Sequence, residues 1–169
     1  GSVYVFVRDD SGTWLEQAKL VASDGGGFQY FGWSVDINDD VVIVGAWQAF
    51  DDRGVGTGAA YIFNRDTAGQ WREKAKLLAA DRSRGDHFGI AVALQDNIAI
   101  VGAEYGDGIA AGTGSAYVFV QDGGGTWVQE DELYASNGAR YDRFGVAIAI
   151  DGDRAIVGAE YGDGIEQDS

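Results

Sequence analysis

The chain has 169 residues, of which 27 are acidic and 12 are basic, giving a formal net charge of −15. That length suits one domain or part of a larger repeat array. The negative charge argues against binding to nucleic acid or to anionic membrane surfaces, which would repel it. Cysteine is absent, which excludes disulfides and thiolate metal sites. No apolar run approaches the ~20 residues of a membrane-spanning helix.

The chain divides into three similar units, residues 1–57, 58–113 and 114–169. Each unit opens on a Gly that precedes a Tyr-x-Phe run, and a Trp follows that Gly by 13 positions. A Phe-Gly pair follows the Trp by 17 positions, and the Gly of a Gly-Ala pair follows that Phe by 14. Spacings held three times indicate a structural repeat. The one length change is an extra residue between Ala46 and Gly58, which predicts an exposed loop.

Each unit contains four apolar runs separated by turn residues, and these runs predict β-strands. No window shows a 3.6-residue period, so no helix longer than a turn is predicted. The segment 74–80 has a helix-forming composition, but its short length and its equivalents in the other units favour a strand. In the second unit the predicted strands are Ala60–Asn64, Trp71–Leu78, Phe88–Leu94 and Ile98–Ala103.

Several predicted strands are apolar on both faces, including Val3–Val7, Val41–Val44 and Ile98–Val101. A sheet with one solvent-facing side would alternate polar and apolar residues, so each small sheet is expected to be covered on both sides. Four strands in ~50 residues, buried against neighbouring copies, are typical of a β-propeller blade. The sequence therefore predicts an all-β chain, a β-propeller of four-stranded blades with three repeats.

The recurring residues also resemble a known family. Phe-Gly followed by Val-Gly-Ala, as in segment 88–103, is followed by Gly-Ser-Ala-Tyr-Val-Phe in segment 114–119, and Ala-Lys-Leu stands at 75–77 after a Trp. This pattern is similar to the FG-GAP repeat, which builds the N-terminal propeller of integrin α subunits and occurs in many bacterial surface proteins. The resemblance covers the whole chain and implies a propeller, a scaffold that supports many activities.

Two features differ from the family's usual pattern. Trp47, Glu104 and Glu160 stand where the family usually has Pro after the Gly-Ala pair. The turns between the Phe-Gly and Gly-Ala strands are also short, whereas a calcium ion takes about six to eight oxygen ligands. The family's calcium loop is therefore not expected in these turns.

The resemblance also implies which blades the chain contains in full and which only in part. In the family the Phe-Gly strand is innermost, and the Gly-Ala, Tyr-x-Phe and Trp strands follow outward. In that order the chain holds two whole blades, residues 31–79 and 88–135, and two complementary half-blades, residues 1–22 and 144–160. Three blades are too few for a ring of the usual ~4–8. We expect two chains to pair head to tail into six blades; a filament or a piece of a roughly seven-bladed propeller are the alternatives.

The loops after the Gly-Ala strands form one rim of the predicted ring and hold the candidate binding residues. Aromatic residues in the first loop either contact a sugar or protein ligand or pack on the neighbouring blade. The two later loops are acidic and either offer carboxylates to calcium or form simple turns. The candidate ligand-binding residues are Trp47, Phe50, Asp51, Asp52, Tyr105 and Tyr161, and the candidate calcium ligands are Glu104, Asp107, Glu160 and Asp163.

Other motifs are assigned to the scaffold. The Arg-Gly-Asp tripeptide at 84–86 matches an adhesion motif, but it precedes a Phe-Gly pair, where a turn is expected. Trp14, Trp71 and Trp127 recur in register and are expected in the core. His87 has no repeated partner, so no nucleophile–base pair is indicated. The chain is therefore not expected to be an enzyme or to need a cofactor.

These observations predict a non-catalytic module for recognition, adhesion or structural assembly outside the cell. It is expected to pair with itself and to present its rim loops to a protein or glycan. A lectin-like or calcium-dependent binding module and a filament-forming structural protein are the alternatives. Neither nucleic-acid binding nor membrane insertion is expected.

Overall fold

The computed structural model describes residues 1–162 and contains, within them, twelve β-strands and no helix. No segment of this part of the chain is therefore a helical candidate for crossing a membrane. The strands of the second repeat begin and end within one residue of the predicted bounds. The twelve strands are β1 Val3–Arg8, β2 Trp14–Leu20, β3 Ser34–Asn38, β4 Val41–Ala46, β5 Ala59–Arg65, β6 Trp71–Leu77, β7 Phe88–Gln95, β8 Ile98–Ala103, β9 Ser115–Gln121, β10 Trp127–Leu133, β11 Phe144–Asp151 and β12 Arg154–Ala159.

The strands form four antiparallel sheets. Strands β3 to β6 form the first four-stranded sheet, here called sheet I, and β7 to β10 form sheet II, each in sequence order. Strands β1 and β2 form a two-stranded N-terminal pair, and β11 and β12 form a C-terminal pair. The prediction of an all-β chain with blade-like, four-stranded sheets is confirmed to this extent.

The Phe-Gly and Gly-Ala signatures have a steric cause where neighbouring sheets meet. Gly89 and Gly145 lie at the start of the first strand of their sheets, with φ of 91° and 95°. Gly45 lies against the carbonyl oxygen of Gly89, and Gly102 against that of Gly145, so closely that a Cβ on either would clash. Glycine adopts the left-handed backbone of Gly89 and Gly145 without strain, and glycine alone, having no Cβ, allows the close approach at Gly45 and Gly102. The repeat signature therefore marks the points where one sheet contacts the next.

Two apolar clusters fill the spaces between neighbouring sheets. One joins the N-terminal pair to sheet I and includes Tyr61 and Phe63. The other joins sheet I to sheet II and includes Tyr117, Phe119 and Trp127. Each four-stranded sheet thus packs its large aromatic residues against the sheet that precedes it in the chain.

The three tryptophans differ in burial. Trp127 is buried, and Trp71 packs, partly buried, against the first cluster, whereas Trp14 is largely exposed. Trp14 belongs to the N-terminal pair, which no sheet precedes in the described chain. The prediction of core packing is confirmed for Trp71 and Trp127 and is wrong for Trp14 in a single chain.

The indole nitrogens of the two packed tryptophans also differ. Trp71 Nε1 donates a hydrogen bond to Gln17 Oε1 at 3.0 Å. The residue equivalent to Gln17 one repeat later is Lys74, whose ammonium group cannot accept a hydrogen bond. Trp127 Nε1 is accordingly buried without a partner. A buried donor left unpaired destabilises a fold by about 1–3 kcal/mol.

We expect Lys74→Gln to raise the free energy of unfolding by about 1 kcal/mol, because the new amide oxygen would accept the hydrogen bond from Trp127 Nε1. Urea unfolding at fixed protein concentration measures the change. Lys74→Met is the control, since it removes the charge without supplying an acceptor. An equal gain in Lys74→Met would contradict the hydrogen-bond explanation.

Candidate functional site

Loops from neighbouring repeats form two clefts at the end of the sheets where the Phe-Gly strands begin, here called the Phe-Gly end. The first cleft has a volume of about 430 Å³ and lies between loops of the first and second repeats. The second cleft, of about 280 Å³, lies between the equivalent loops of the second and third repeats. Among the residues lining the first cleft are Phe28, Trp47, Gln48, Phe50, Arg84 and His87.

A row of aromatic side chains runs beside the first cleft. Trp47 stacks on Tyr30 with ring centroids 4.9 Å apart and 19° between the planes. The Trp47 and His87 rings pack edge to face with centroids 4.3 Å apart, and the His87 and Tyr105 rings pack in the same way with centroids 4.9 Å apart. Trp33 contacts both Tyr30 and Trp47. Such contacts contribute about 0.5–1.5 kcal/mol per pair beyond area burial, so they fix the ring orientations.

The row continues as a chain of charged contacts. His87 Nδ1 lies 2.9 Å from Glu104 Oε1. Arg143 Nε lies 3.7 Å from the other Glu104 oxygen, and Arg143 Nη1 lies 3.1 Å from Glu160 Oε2. The Arg143 guanidinium also lies over the ring of Tyr161, 4.9 Å from its centroid. Glu104 therefore ties the second repeat to the third, whereas Glu160 holds Arg143 from within the third repeat.

Asp51 holds together the loop that forms part of the first cleft. Its side chain is fully buried, and Oδ1 accepts the backbone N–H groups of Arg53 and Val55, both at 2.9 Å. Oδ2 accepts hydrogen bonds from the Arg53 and Arg82 guanidinium groups at 2.7 and 3.3 Å. Burial alone would raise the pKa of Asp51, but the hydrogen bonds from Val55 and Arg53 lower it to about 2. Asp51 thus shapes this loop, and its carboxylate is engaged within the protein.

The other candidate ligand-binding residues occupy different settings. Phe50 is exposed at the first cleft, and Asp52 makes an exposed ion pair with an arginine. Trp47 and Tyr105 are partly buried within the aromatic row, whereas Tyr161 is exposed beside Arg143. The first cleft brings together Trp47 and Phe50, and a ligand-binding role for the set stays a prediction.

The candidate calcium ligands do not converge in the described part of the chain. Glu104 and Glu160 both pair with Arg143, and Asp107 Oδ1 accepts a backbone N–H at 3.0 Å. Asp163 lies outside the described residues. No group of three His, Cys, Asp or Glu side chains among the described residues could hold a metal ion. The described carboxylates instead make ion pairs and stabilise turns.

The Arg-Gly-Asp tripeptide forms a turn, as predicted. Asp86 is buried and its carboxylate accepts the backbone N–H of Ser83, while Gly85 adopts a φ of 88°. Burial raises the pKa of Asp86 to about 6, against the Ser83 hydrogen bond and with help from the charges of Asp107 and Asp81. The carboxylate that an adhesion motif would present is therefore turned into the protein.

Sequence reasoning did not identify Phe28, Arg84 or His87 as members of one cleft. They come from two different repeats, and the loops meet because the sheets stack. The sequence signal for this cleft was an aromatic residue, Phe28, three positions before a Phe-Gly pair, where the second repeat has a glycine.

Comparison with known proteins identifies the repeat. A family model described as FG-GAP repeat matches residues 14–63, 71–119 and 127–169. Each matched segment begins at one of the three recurring tryptophans, and together they cover most of the chain. No curated protein matches the chain.

We expect Asp51→Asn to lower Tm by roughly 5–10 °C near neutral pH, because an amide cannot pair with both guanidinium groups. The pKa of Asp51 is lowered, so its contribution to stability is present above pH ~4 and is lost as the pH falls towards about 2. The Tm difference between the variant and the wild type should therefore close over that range in thermal melts followed by circular dichroism. Asp52→Asn, an exposed control, should shift Tm by no more than about 2 °C.

We expect Asp86→Asn to raise Tm near neutral pH, because the new amide still accepts the Ser83 N–H bond but carries no buried charge. The pKa of Asp86 is raised, so its stabilising contribution is complete below pH ~4 and is lost as the pH rises through about 6. The amount by which the Tm of the variant exceeds that of the wild type should grow as the pH rises from ~4 to about 6. Asp66→Asn is the opposite control: hydrogen bonds from Gln70 and Arg72 lower the pKa of Asp66, so this variant should lose stability near neutral pH.

Proposed function

We propose that this chain, which belongs to the FG-GAP repeat family, is a non-catalytic β-propeller module that closes into a ring with a second copy of itself. The C-terminal pair of each copy and the N-terminal pair of the other would form one composite blade. Two copies would then supply six blades, within the usual range of ~4–8. The loops at the Phe-Gly end would form a recognition face for a protein or glycan outside the cell.

The exposure of residues whose repeat equivalents are buried carries this proposal. Tyr61 and Tyr117 are 0% and 1% exposed, whereas their equivalent Tyr4 is 47% exposed. Phe6 is 52% exposed, while its two equivalents are each 3% exposed. At the other terminus Ile156 is 72% exposed, while its equivalents are 0% and 2% exposed. Both chain ends thus present surfaces that the same repeat covers elsewhere.

The tyrosine hydrogen bonds support the same pairing. The hydroxyls of Tyr61 and Tyr117 donate to an aspartate of the preceding repeat at 2.8 and 3.3 Å. The remaining repeat equivalents of this donor and acceptor are Tyr4 and Asn137, at opposite ends of the chain. In the proposed ring Tyr4 would donate to the Asn137 side chain of the second copy.

A second recurring hydrogen bond also leaves its remaining equivalents at opposite ends of the chain. Glu73 accepts the backbone N–H and the hydroxyl of Ser23, both at 2.8 Å, and the backbone bond recurs one repeat later. The remaining equivalents are Glu16 and Ser136. A head-to-tail pair would therefore place an acceptor on one copy beside two donors on the other.

The backbone edges of the two terminal pairs are also complementary. Strand β4 pairs with β5 in sheet I, and β8 pairs with β9 in sheet II. Their repeat equivalents β12 and β1 have no such partner in the described chain. The shared register would place Ile156 opposite Val5 and Ala159 opposite Ser2 of the second copy. Pairing would remove two exposed sheet edges, which otherwise invite uncontrolled association.

Gly158 offers a test that leaves the single chain intact. Its equivalents Gly45 and Gly102 lie so close to a glycine carbonyl of the next sheet that a Cβ would clash. A Cβ on Gly158 would instead meet only Ala147, at 3.4 Å or more. In the proposed ring the missing neighbour is Gly32 of the second copy.

We expect Gly158→Ala to fold but to remain a monomer, because the added methyl group would clash only across the seam between copies. Light scattering should give the wild type twice the 17.9 kDa chain mass, and circular dichroism should show folded sheet in both proteins. Gly123→Ala is the control, since a Cβ at Gly123 meets nothing within 4 Å, and it should dimerise like the wild type. A Gly158→Ala dimer would exclude this seam, a monomeric wild type would exclude the ring, and a mass that grows with concentration would indicate a filament.

A further inference from the structure

We propose that the first cleft binds a neutral sugar unit of a glycan, held between exposed aromatic rings and side-chain N–H donors. This inference rests on the proposed function for its setting, since it names the ligand class of the recognition face. It does not require the second copy, because every residue that lines the cleft belongs to one chain.

Phe28 is the residue that first indicates a ligand. It is 87% exposed, and its φ of 64° lies in the left-handed region, where a bulky side chain is strained. Gly85 occupies the equivalent position of the second repeat with a φ of 88°, so the turn forms without an aromatic residue. The ring of Phe28 is therefore not needed by the turn, and its exposure beside a cleft supplies an apolar contact surface.

Phe50 supplies a second aromatic surface, and its loop is held rigidly. Phe50 forms an antiparallel bridge with Gly56, and its carbonyl accepts a hydrogen bond from Lys76 Nζ at 2.6 Å. The buried carboxylate of Asp51 fixes the rest of the loop. A wall that is ordered before binding loses little entropy when a ligand arrives. This loop also contains the one-residue insertion that distinguishes the first repeat.

Polar side chains at the cleft are available to a ligand. Arg82 pairs with Asp51 and Asp52, whereas Arg84 lines the cleft and pairs with no acid among the described residues. His87 is held by Glu104 through Nδ1, which leaves Nε2 for another partner. Guanidinium N–H groups donate hydrogen bonds to hydroxyl oxygens, and Nε2 accepts one from a hydroxyl group, because Nδ1 donates its proton to the Glu104 carboxylate.

The size of the cleft and the net charge of the whole chain favour a neutral sugar. Its volume of about 430 Å³ lies within the ~300–1,000 Å³ typical of small-molecule clefts. Aromatic rings match the C–H face of a pyranose, and the N–H donors match its hydroxyl groups. None of the lining residues is acidic, but the net charge of −15 opposes a strongly anionic glycan.

Binding is tested on the intact wild-type protein with methyl glycosides of glucose, galactose, mannose, fucose and N-acetylglucosamine. Glucuronate serves as the anionic comparison. Saturation-transfer NMR and tryptophan fluorescence should show saturable binding of at least one neutral glycoside in the millimolar range or tighter, and weaker binding of glucuronate. Stronger binding of glucuronate than of every neutral glycoside would overturn the proposal.

Two variants separate recognition from folding. Phe28→Gly should leave Tm equal or higher, because glycine suits the backbone there, while weakening sugar binding by at least about tenfold. Arg84→Gln should weaken binding by about tenfold by removing a charged donor. Tyr141→Gly is the matched control. It replaces the repeat equivalent of Phe28, which lies at the second cleft with a φ of 75°, and it should leave sugar binding unchanged.

The outcomes also distinguish this site from the ring. Absence of saturable binding by every neutral glycoside, or a Phe28→Gly protein that binds as tightly as the wild type, overturns the sugar site. Loss of binding in Tyr141→Gly but not in Phe28→Gly overturns it as well, by moving the site to the second cleft. A wild-type monomer that binds sugar keeps the site and excludes the ring, and a dimer that binds none does the reverse.

Discussion

The close approach of glycine backbones where neighbouring sheets meet is the constraint on which the structure depends. Gly45 and Gly102 each lie against a carbonyl at the start of the next sheet, and this contact sets how closely consecutive sheets stack. The aromatic residues of each sheet fill the remaining space against its predecessor. Because sheet I meets sheet II through the same contact by which sheet II meets the C-terminal pair, the loops at the Phe-Gly end recur at equivalent positions. The two clefts between repeats are a direct result of that regularity.

Within this common frame the repeats have diverged at the surface. The residue before the Phe-Gly pair is Tyr30, His87 or Arg143, and each has a positive φ near 60°. The backbone is thus kept while the side chain changes from aromatic to cationic, which turns an aromatic row into a chain of ion pairs along the same end. A conserved backbone with changing side chains is how a scaffold acquires different binding chemistries.

The strands and the three repeats could be predicted from the sequence, because they depend on local periodicity and on a spacing repeated three times. The order of the strands in each sheet followed from the resemblance to the FG-GAP repeat. The clefts could not, since Phe28 and Arg84 meet only when sheets from different repeats stack. Asp51 was predicted at a ligand-binding rim because it lies in the loop after a Gly-Ala strand, and a sequence does not show where a charged side chain points. The structure shows its carboxylate buried among arginines. Trp14 was predicted in the core because it recurs in register with Trp71 and Trp127, but no sheet of the described chain packs on it, and it is largely exposed.

Within residues 1–162, strands β1 and β12 each have an edge without a partner strand, and this has a kinetic consequence. Sheets I and II form from segments of one chain, so their formation is unimolecular and independent of dilution. Any sheet that joins β12 to a β1 strand of another molecule forms in a second-order encounter, and its rate falls with dilution. In an assembly of that kind, dilution would leave the middle of the molecule folded while the amides of β1 and β12 lost protection from hydrogen exchange.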